Sequence, residues 1–127
     1  HVIGEEVEYS ILKAAEESGV QVTEFTVAPF VSSDAGKSFH EWFIEFEKGP
    51  DDLELFAKKL DQHLRQKNVY YDDLISGNIL KPLVITSIRK NGFIDYMKSI
   101  GKLGGQNKVP RLSNDRKIAD MLINWKQ

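Results

Sequence analysis

The segment HEWFIEFE, His40–Glu47, decides the fold, because its side chains alternate strictly between two faces. This period of two predicts a β-strand. The preceding segment, residues 20–31, is rich in β-branched residues, and its Pro29 indicates an edge strand or a strand end. The turn SSDAGKS separates the two segments, so we expect an antiparallel hairpin. The alternation places His40, Trp42, Ile44 and Phe46 on one face, and Glu41, Phe43, Glu45 and Glu47 on the other.

Amphipathic helices are predicted on both sides of this hairpin. The first covers GEEVEYSILKAAEESG, where Gly19 is suited to end the helix. The second covers GPDDLELFAKKLDQHLRQKN, and Asp51 with Glu54 fits a capping box at its start. The predicted apolar stripes are Val7, Ile11, Ala14 and Ala15 in the first helix, and Leu53, Phe56, Ala57, Leu60 and Leu64 in the second.

The rest of the chain alternates short helices with one more strand. VYYDDLISG predicts a short helix, PLVITSIR a third strand and NGFIDYMKSIG another helix. After a Gly-Gly loop, SNDRKIADMLINWK predicts a last helix, capped by Ser113 or Asn114. The order is α-β-β-α-α-β-α-loop-α. It predicts an α+β domain with a small, mostly antiparallel sheet of about three strands, flanked by helices on at least one face.

The composition is that of one ordinary globular domain. The chain has 127 residues and a net charge of −2, from 17 basic and 19 acidic residues. The chain has no cysteine, which excludes disulfides and thiolate chemistry and is in keeping with a cytoplasmic origin. No apolar run approaches the roughly 20 residues that span a bilayer, so no membrane partner is expected. Because the chain begins at His1, we interpret it as a piece of a longer protein.

The titratable side chains do not predict a metal or acid–base centre. We expect His40 to be a core or strand-end residue with a satisfied hydrogen bond, and His63 to be solvated. With no evident third partner for the two histidines, no metal site is predicted. Neighbouring acids on a helix point in different directions, so the adjacent acidic pairs do not converge. These pairs are Glu5–Glu6, Glu16–Glu17, Asp51–Asp52 and Asp72–Asp73.

The segment GGQNKVPR, residues 104–111, combines two flexible glycines with a lysine that is followed by a restricted stretch of backbone. The two glycines free the chain, and Pro110 restricts Val109 beside Lys108. An ordinary surface turn has the same composition. A lysine on such a tip can instead stabilise negative charge that develops on a phosphate or carboxylate.

Residues 70–112 carry a series of short motifs in a defined order. A tyrosine opens a helix, Gly77 precedes the strand that begins Leu80-Lys81-Pro82-Leu83, and Gly92-Phe93 opens the next helix. The series closes on the loop Gln106-Asn107-Lys108-Val109-Pro110-Arg111. This pattern resembles the C-terminal end of the auxin-responsive-promoter family of acyl-acid-amido synthetases, which are adenylate-forming enzymes. The paired strands resemble those of the family, especially of its bacterial members, and VIGEEV resembles the segment that follows the family's interdomain hinge. The likeness therefore covers nearly the whole chain.

The resemblance implies a function for the chain as a C-terminal lobe. Such enzymes adenylate a carboxylic acid with ATP and transfer the acyl group, typically to an amino acid. ATP and Mg²⁺ would be bound mainly by an N-terminal domain of the same parent chain, absent from residues 1–127. The resemblance implies that Lys108 is catalytic and that Gly104, Gly105, Gln106 and Arg111 lie on a loop next to the nucleotide. The isolated piece is expected to be inactive. Asn107 stands where plant members are expected to have an aromatic residue.

Two other classes of function stay open at this point. The chain could be a small-molecule-binding regulatory module, which would need a closed pocket and no lysine. The basic residues gather loosely in the C-terminal half, which is typical of weak nucleic-acid binding, but the net negative charge opposes it. We therefore expect no nucleic-acid partner.

Overall fold

The computed structural model describes residues 2–34, 36–102, 104 and 108–127. Its helices and strands follow the predicted order, which confirms the α+β fold. They are α1 Gly4–Ser18, β1 Gln21–Phe30, β2 Phe39–Lys48, α2 Leu53–Lys67, α3 Val69–Ser76, β3 Val84–Ile88, α4 Gly92–Ser99 and α5 Lys117–Leu122, with a 3₁₀ turn over Ile123–Trp125.

The three strands form one sheet in the order β1-β2-β3, with β2 in the centre. β1 and β2 are the predicted antiparallel hairpin, paired from Gln21 with Lys48 to Phe30 with Phe39. β3 runs parallel to β2, and α2 and α3 provide the crossover that a parallel pair requires. The antiparallel pairing is the longer of the two, so the sheet is mostly antiparallel, as predicted.

Helices cover both faces of this sheet. Trp42 and Ile44 point toward α1, α2 and α3 and lie in the larger apolar cluster with Leu60 and Tyr71. Phe43 points the other way and packs with residues of α4 and α5 in a second cluster. The central strand is therefore buried on both sides, and the domain has three layers.

The start of α4 packs tightly on the end of β3. A Cβ atom added at Gly92 would overlap the side chain of Ile88 and approach Trp125. Glycine is thus required at this position for close packing. This requirement explains the glycine of the Gly-Phe pair in the sequence.

Short extended segments pair with both outer edges of the sheet. Along β1, the Val27 amide donates to the Arg111 carbonyl (3.0 Å), and the Ser113 amide donates to the Val27 carbonyl (2.9 Å). Along β3, the Gln127 amide donates to the Ser87 carbonyl at 2.9 Å. These contacts occupy backbone groups that would otherwise be exposed to pairing with other chains.

Two predicted helix caps are wrong and one helix end is confirmed. α2 is capped by Asp52, whose carboxylate accepts from the Leu55 amide at 3.1 Å, and not by a capping box at Asp51. The last helix begins at Lys117, because pairing with β1 keeps the backbone extended as far as Ser113. Gly19 ends α1 in the left-handed conformation (φ 64°), as predicted.

Candidate functional site

The site contains the segment Lys108–Ser113, which we call the stem, and the edge of β1 to which it is attached. The Val109 side chain is buried in the second apolar cluster. The Thr26 hydroxyl donates to the Pro110 carbonyl. The carbonyl of the next residue, Arg111, accepts from the Val27 amide. The stem therefore has a fixed place on the sheet.

Arg111 ties the stem to two elements through several contacts. Its Nη1 donates to the Glu24 carboxylate and to the Phe25 carbonyl (3.0 Å), and its Nε donates to Glu8 of α1 (3.3 Å). The guanidinium also lies 4.5 Å from the centre of the Phe25 ring. A planar cation with several donors suits this combination of contacts. A place for Arg111 beside a nucleotide stays a prediction.

Lys108 is exposed where the stem begins. Gly104 is exposed too and has a positive φ of 85°, which favours glycine. The other predicted loop residues, Gly105 and Gln106, lie outside the described residues, as does Asn107. The catalytic role of Lys108 stays a prediction.

A cavity of about 200 Å³ lies beside Lys108. Lys102 and Lys108 line it together with carboxylates and apolar side chains, including Glu45, Phe93 and Met97. Glu45 is buried, and its carboxylate accepts from the backbone amides of Asn91 (3.0 Å) and Phe93 (3.2 Å). It thus caps the start of α4 from the neighbouring strand.

Two more buried carboxylates serve the fold, and neither was predicted to have a structural role. Glu41 accepts from the Thr86 hydroxyl and from Arg116 Nη1 (2.8 Å). Asp61 accepts from the Tyr71 hydroxyl. Burial, followed by the charge of Asp61, raises the pKa of Tyr71 far above its ordinary value. The sequence does contain a signal that Glu41 and Glu45 are buried. Phe43 lies between them on the same face of β2, and an aromatic residue there indicates that this face is covered.

His40 lies near the start of β2, as predicted, but the hydrogen bond predicted for it is not found at Nδ1 within the described part of the chain, and the prediction that His63 is solvated is wrong. His40 stacks on Tyr71 with ring centroids 5.5 Å apart, but its buried Nδ1 has no hydrogen-bond partner among the described residues. Burial lowers the pKa of His40. His63 is half-buried, and its Nε2 is bonded to Glu17 at 2.7 Å instead of being solvated. That hydrogen bond lowers the pKa of Glu17.

The described residues contain neither a cluster of metal ligands nor a membrane-spanning helix. Within them, no group of three or more histidine and carboxylate side chains is arranged to hold a metal ion. The helices found in the same ranges are too short or too polar to cross a membrane.

A family model described as the GH3 family C-terminal domain matches residues 5–117 of the chain. The chain belongs to this family. Two solved structures share the fold of this GH3 domain, each with a TM-score of 0.75 and 16% sequence identity over 96% of the chain. They are titled "GH3.15 acyl acid amido synthetase" and "AtGH3.15 acyl acid amido synthetase in complex with 2,4-DB".

The GH3 domain spans 24% and 23% of the lengths of those two chains. A search of curated protein sequences finds no significant match. The resemblance to acyl-acid-amido synthetases that the motifs indicated is therefore confirmed at the level of the family and its C-terminal domain.

Proposed function

We propose that this GH3 domain is the C-terminal lobe of an ATP-dependent acyl acid amido synthetase. The enzyme adenylates a carboxylic acid and transfers the acyl group, with an amino acid as the acceptor. Family membership supports the general role. The observation that carries the proposal is the exposed Lys108 at the start of a stem that is fastened to the edge of β1.

The chemistry of adenylation needs a cation at the place where Lys108 would act. A carboxylate oxygen attacks the α-phosphorus of ATP, and the bond from that phosphorus to the pyrophosphate oxygen breaks. Negative charge spreads over the phosphoryl oxygens and the leaving group in the transition state. A positioned ammonium stabilises that charge, and more strongly so where water is excluded.

The second half-reaction explains why the cation belongs on a separate lobe. The acceptor amine attacks the acyl carbon and AMP leaves. The reacting centre is then the acyl carbon and not the α-phosphorus, so a cation is no longer required beside the phosphate. A lobe that pivots between the two steps delivers Lys108 for the first and withdraws it for the second. ATP and Mg²⁺ are held mainly by the N-terminal domain of the parent chain in this proposal.

The test is acid-dependent exchange of pyrophosphate into ATP by the full-length enzyme, across a panel of carboxylic acids. Lys108→Ala is expected to slow exchange about a hundredfold, about 2.7 kcal/mol of barrier. The matched control is Lys98→Ala, because Lys98 is an exposed lysine of α4 that does not line the cavity. Exchange that is unaffected by Lys108→Ala would remove Lys108 from catalysis.

A regulatory module is the second candidate, and it would bind its ligand in an open groove instead of the closed pocket expected for it. The groove lies between α1 and β1, measures about 480 Å³ and has apolar walls that include Ile11, Val22 and Phe25. Its volume is within the range of small-molecule sites, about 300–1,000 Å³. No exchange with any acid, together with a small molecule that raises the melting temperature of the chain, would favour this second function.

A further inference from the structure

The side chain of Arg111, three residues after Lys108, is turned back onto its own domain. Its guanidinium pairs with two carboxylates on different elements, Glu8 of α1 and Glu24 of β1. It also lies over the Phe25 ring, and Nη1 donates to the Phe25 carbonyl. Nε and Nη1 therefore bind the protein, and two carboxylates offset the charge that would attract a nucleotide phosphate.

Glu24 is oriented for this contact by the local geometry of β1. The pairing of β1 with β2 shifts register between Val22 and Glu24. Such an irregularity changes the direction of the side chains next to it. The Glu24 carboxylate also accepts from the Phe25 amide at 3.0 Å, and its side chain is only 25% exposed. An acceptor that is fixed in this way gives the Arg111 guanidinium one preferred place.

The anchored part of the stem begins at Pro110 and not at Lys108. The hydrogen bonds of the stem to the sheet involve Pro110, Arg111 and Ser113. Within the described residues, no hydrogen bond of Lys108 or Val109 is found. Lys108 is therefore placed by the packing of Val109 and by the residues that follow. Pro110 transmits the position of Arg111 along the backbone, because its ring fixes φ and restricts the conformation of Val109.

We propose that Arg111 is a positioning residue, which acts on adenylation through Lys108 and does not bind the nucleotide. Glu24 and Glu8 hold its side chain and thereby keep the stem that carries the lysine on β1. This role rests on the proposed synthetase function. A positioning residue affects the rate of the chemical step, whereas a nucleotide ligand affects the binding of ATP.

The experiment measures acid-dependent exchange of pyrophosphate into ATP by the full-length enzyme, with the maximal rate and the KM for ATP determined separately. Arg111→Gln is expected to lower the maximal rate about tenfold, which corresponds to about 1.4 kcal/mol of barrier, and to leave the KM for ATP unchanged. In the Lys108→Ala background, Arg111→Gln is expected to have no further effect, because it acts only through that lysine. Glu24→Gln removes the anchor without altering Arg111 and is expected to lower the maximal rate too. The matched control Arg89→Gln removes a surface arginine that pairs with Asp95, and it is expected to change neither value.

Three kinetic results would overturn the positioning role. A higher KM for ATP with an unchanged maximal rate would make Arg111 a nucleotide ligand. A further loss in the Lys108→Ala background would show that Arg111 acts independently of the lysine. Exchange that is unaffected by Lys108→Ala would reject the roles of both residues and keep the synthetase. Maximal rates are referred to the amount of folded enzyme, so that a loss of stability alone does not count.

The anchor itself is judged separately, by hydrogen exchange of the Val27 and Ser113 amides, whose bonds hold the stem on β1. In Arg111→Gln both amides are expected to exchange about tenfold faster relative to the Ile44 amide of the central strand, and in Arg89→Gln they are not. Equal rates in the two variants would overturn the anchor even in an active enzyme. A wild-type enzyme without acid-dependent exchange, together with faster amide exchange in Arg111→Gln, would reject the synthetase and keep the anchor.

Discussion

His40 lies on β2 against Tyr71 of α3, and both are near the buried carboxylate of Asp61. Burial lowers the pKa of His40, and the charge of Asp61 opposes that effect. The imidazole is thus neutral in the folded protein at neutral pH. A buried neutral histidine links folding to the proton concentration.

We predict that this histidine makes the domain less stable as the pH falls. Its folded pKa lies below its unfolded value of about 6.5, so the unfolded chain binds more protons below that pH. The stability is present above about pH 6.5 and is lost as the pH falls toward the folded pKa. His40→Gln is expected to show a smaller loss in urea unfolding between about pH 7.5 and about pH 5.5. Equal losses in the wild type and the variant would contradict this.

At the scale of elements, the stem is held to β1 by contacts between elements that are distant in the sequence. Thr26 and Val27 bind its backbone, and Arg111 binds Glu24, Phe25 and Glu8. The side chain of Arg111 is 32% exposed, so its ion pairs are less screened than those of a fully solvated arginine.

We predict that Arg111→Ala lowers the free energy of unfolding by about 1–2 kcal/mol, because it removes the guanidinium donor from the half-buried Glu24 carboxylate and from the Phe25 carbonyl. The matched control is Arg89→Ala, since Arg89 pairs with Asp95 at a more exposed position, 47%. That change is expected to cost about 0.5 kcal/mol or less. Chemical denaturation of both variants provides the comparison. A cost for Arg111→Ala no larger than that for Arg89→Ala would mean that the stem is held by its backbone alone.

At the scale of the whole molecule, the two apolar clusters share one strand. β2 contributes Trp42 and Ile44 to the first cluster and Phe43 to the second. Loss of β2 would expose both clusters, so the layers depend on each other. This arrangement is typical of a domain that unfolds in one step.

We therefore predict that the chain of 127 residues folds alone and unfolds in a single cooperative transition, yet catalyses no exchange of pyrophosphate into ATP. Folding needs only the shared core, whereas adenylation needs an ATP and acyl-acid site that we assign to the N-terminal domain. Circular dichroism and fluorescence should report the same urea midpoint. The full-length enzyme is the positive control for exchange. Acid-dependent exchange by the chain alone would contradict the assignment of the ATP and acyl-acid site to the N-terminal domain.

The order of helices and strands could be predicted from the sequence, because the period of the apolar residues is a local property. HEWFIEFE indicates a strand without knowledge of its partners, and Gly19 ends α1 through its own backbone freedom. The exposure of Lys108 could be inferred in the same way, from the glycines before it and the proline after it.

The sequence by itself thus determined the elements, their order, the family motifs and the candidate lysine. The tertiary structure decided the parallel pairing of β3, the second helical layer, and the burial of Glu45 and Asp61. The physical reason is that periodicity shows which side of an element is apolar, but not which distant element covers it. Residues 111–113 show this best, because so short an extended segment has no period, and its hydrogen bonds to Val27 and the side-chain contacts of Arg111 place it on the sheet.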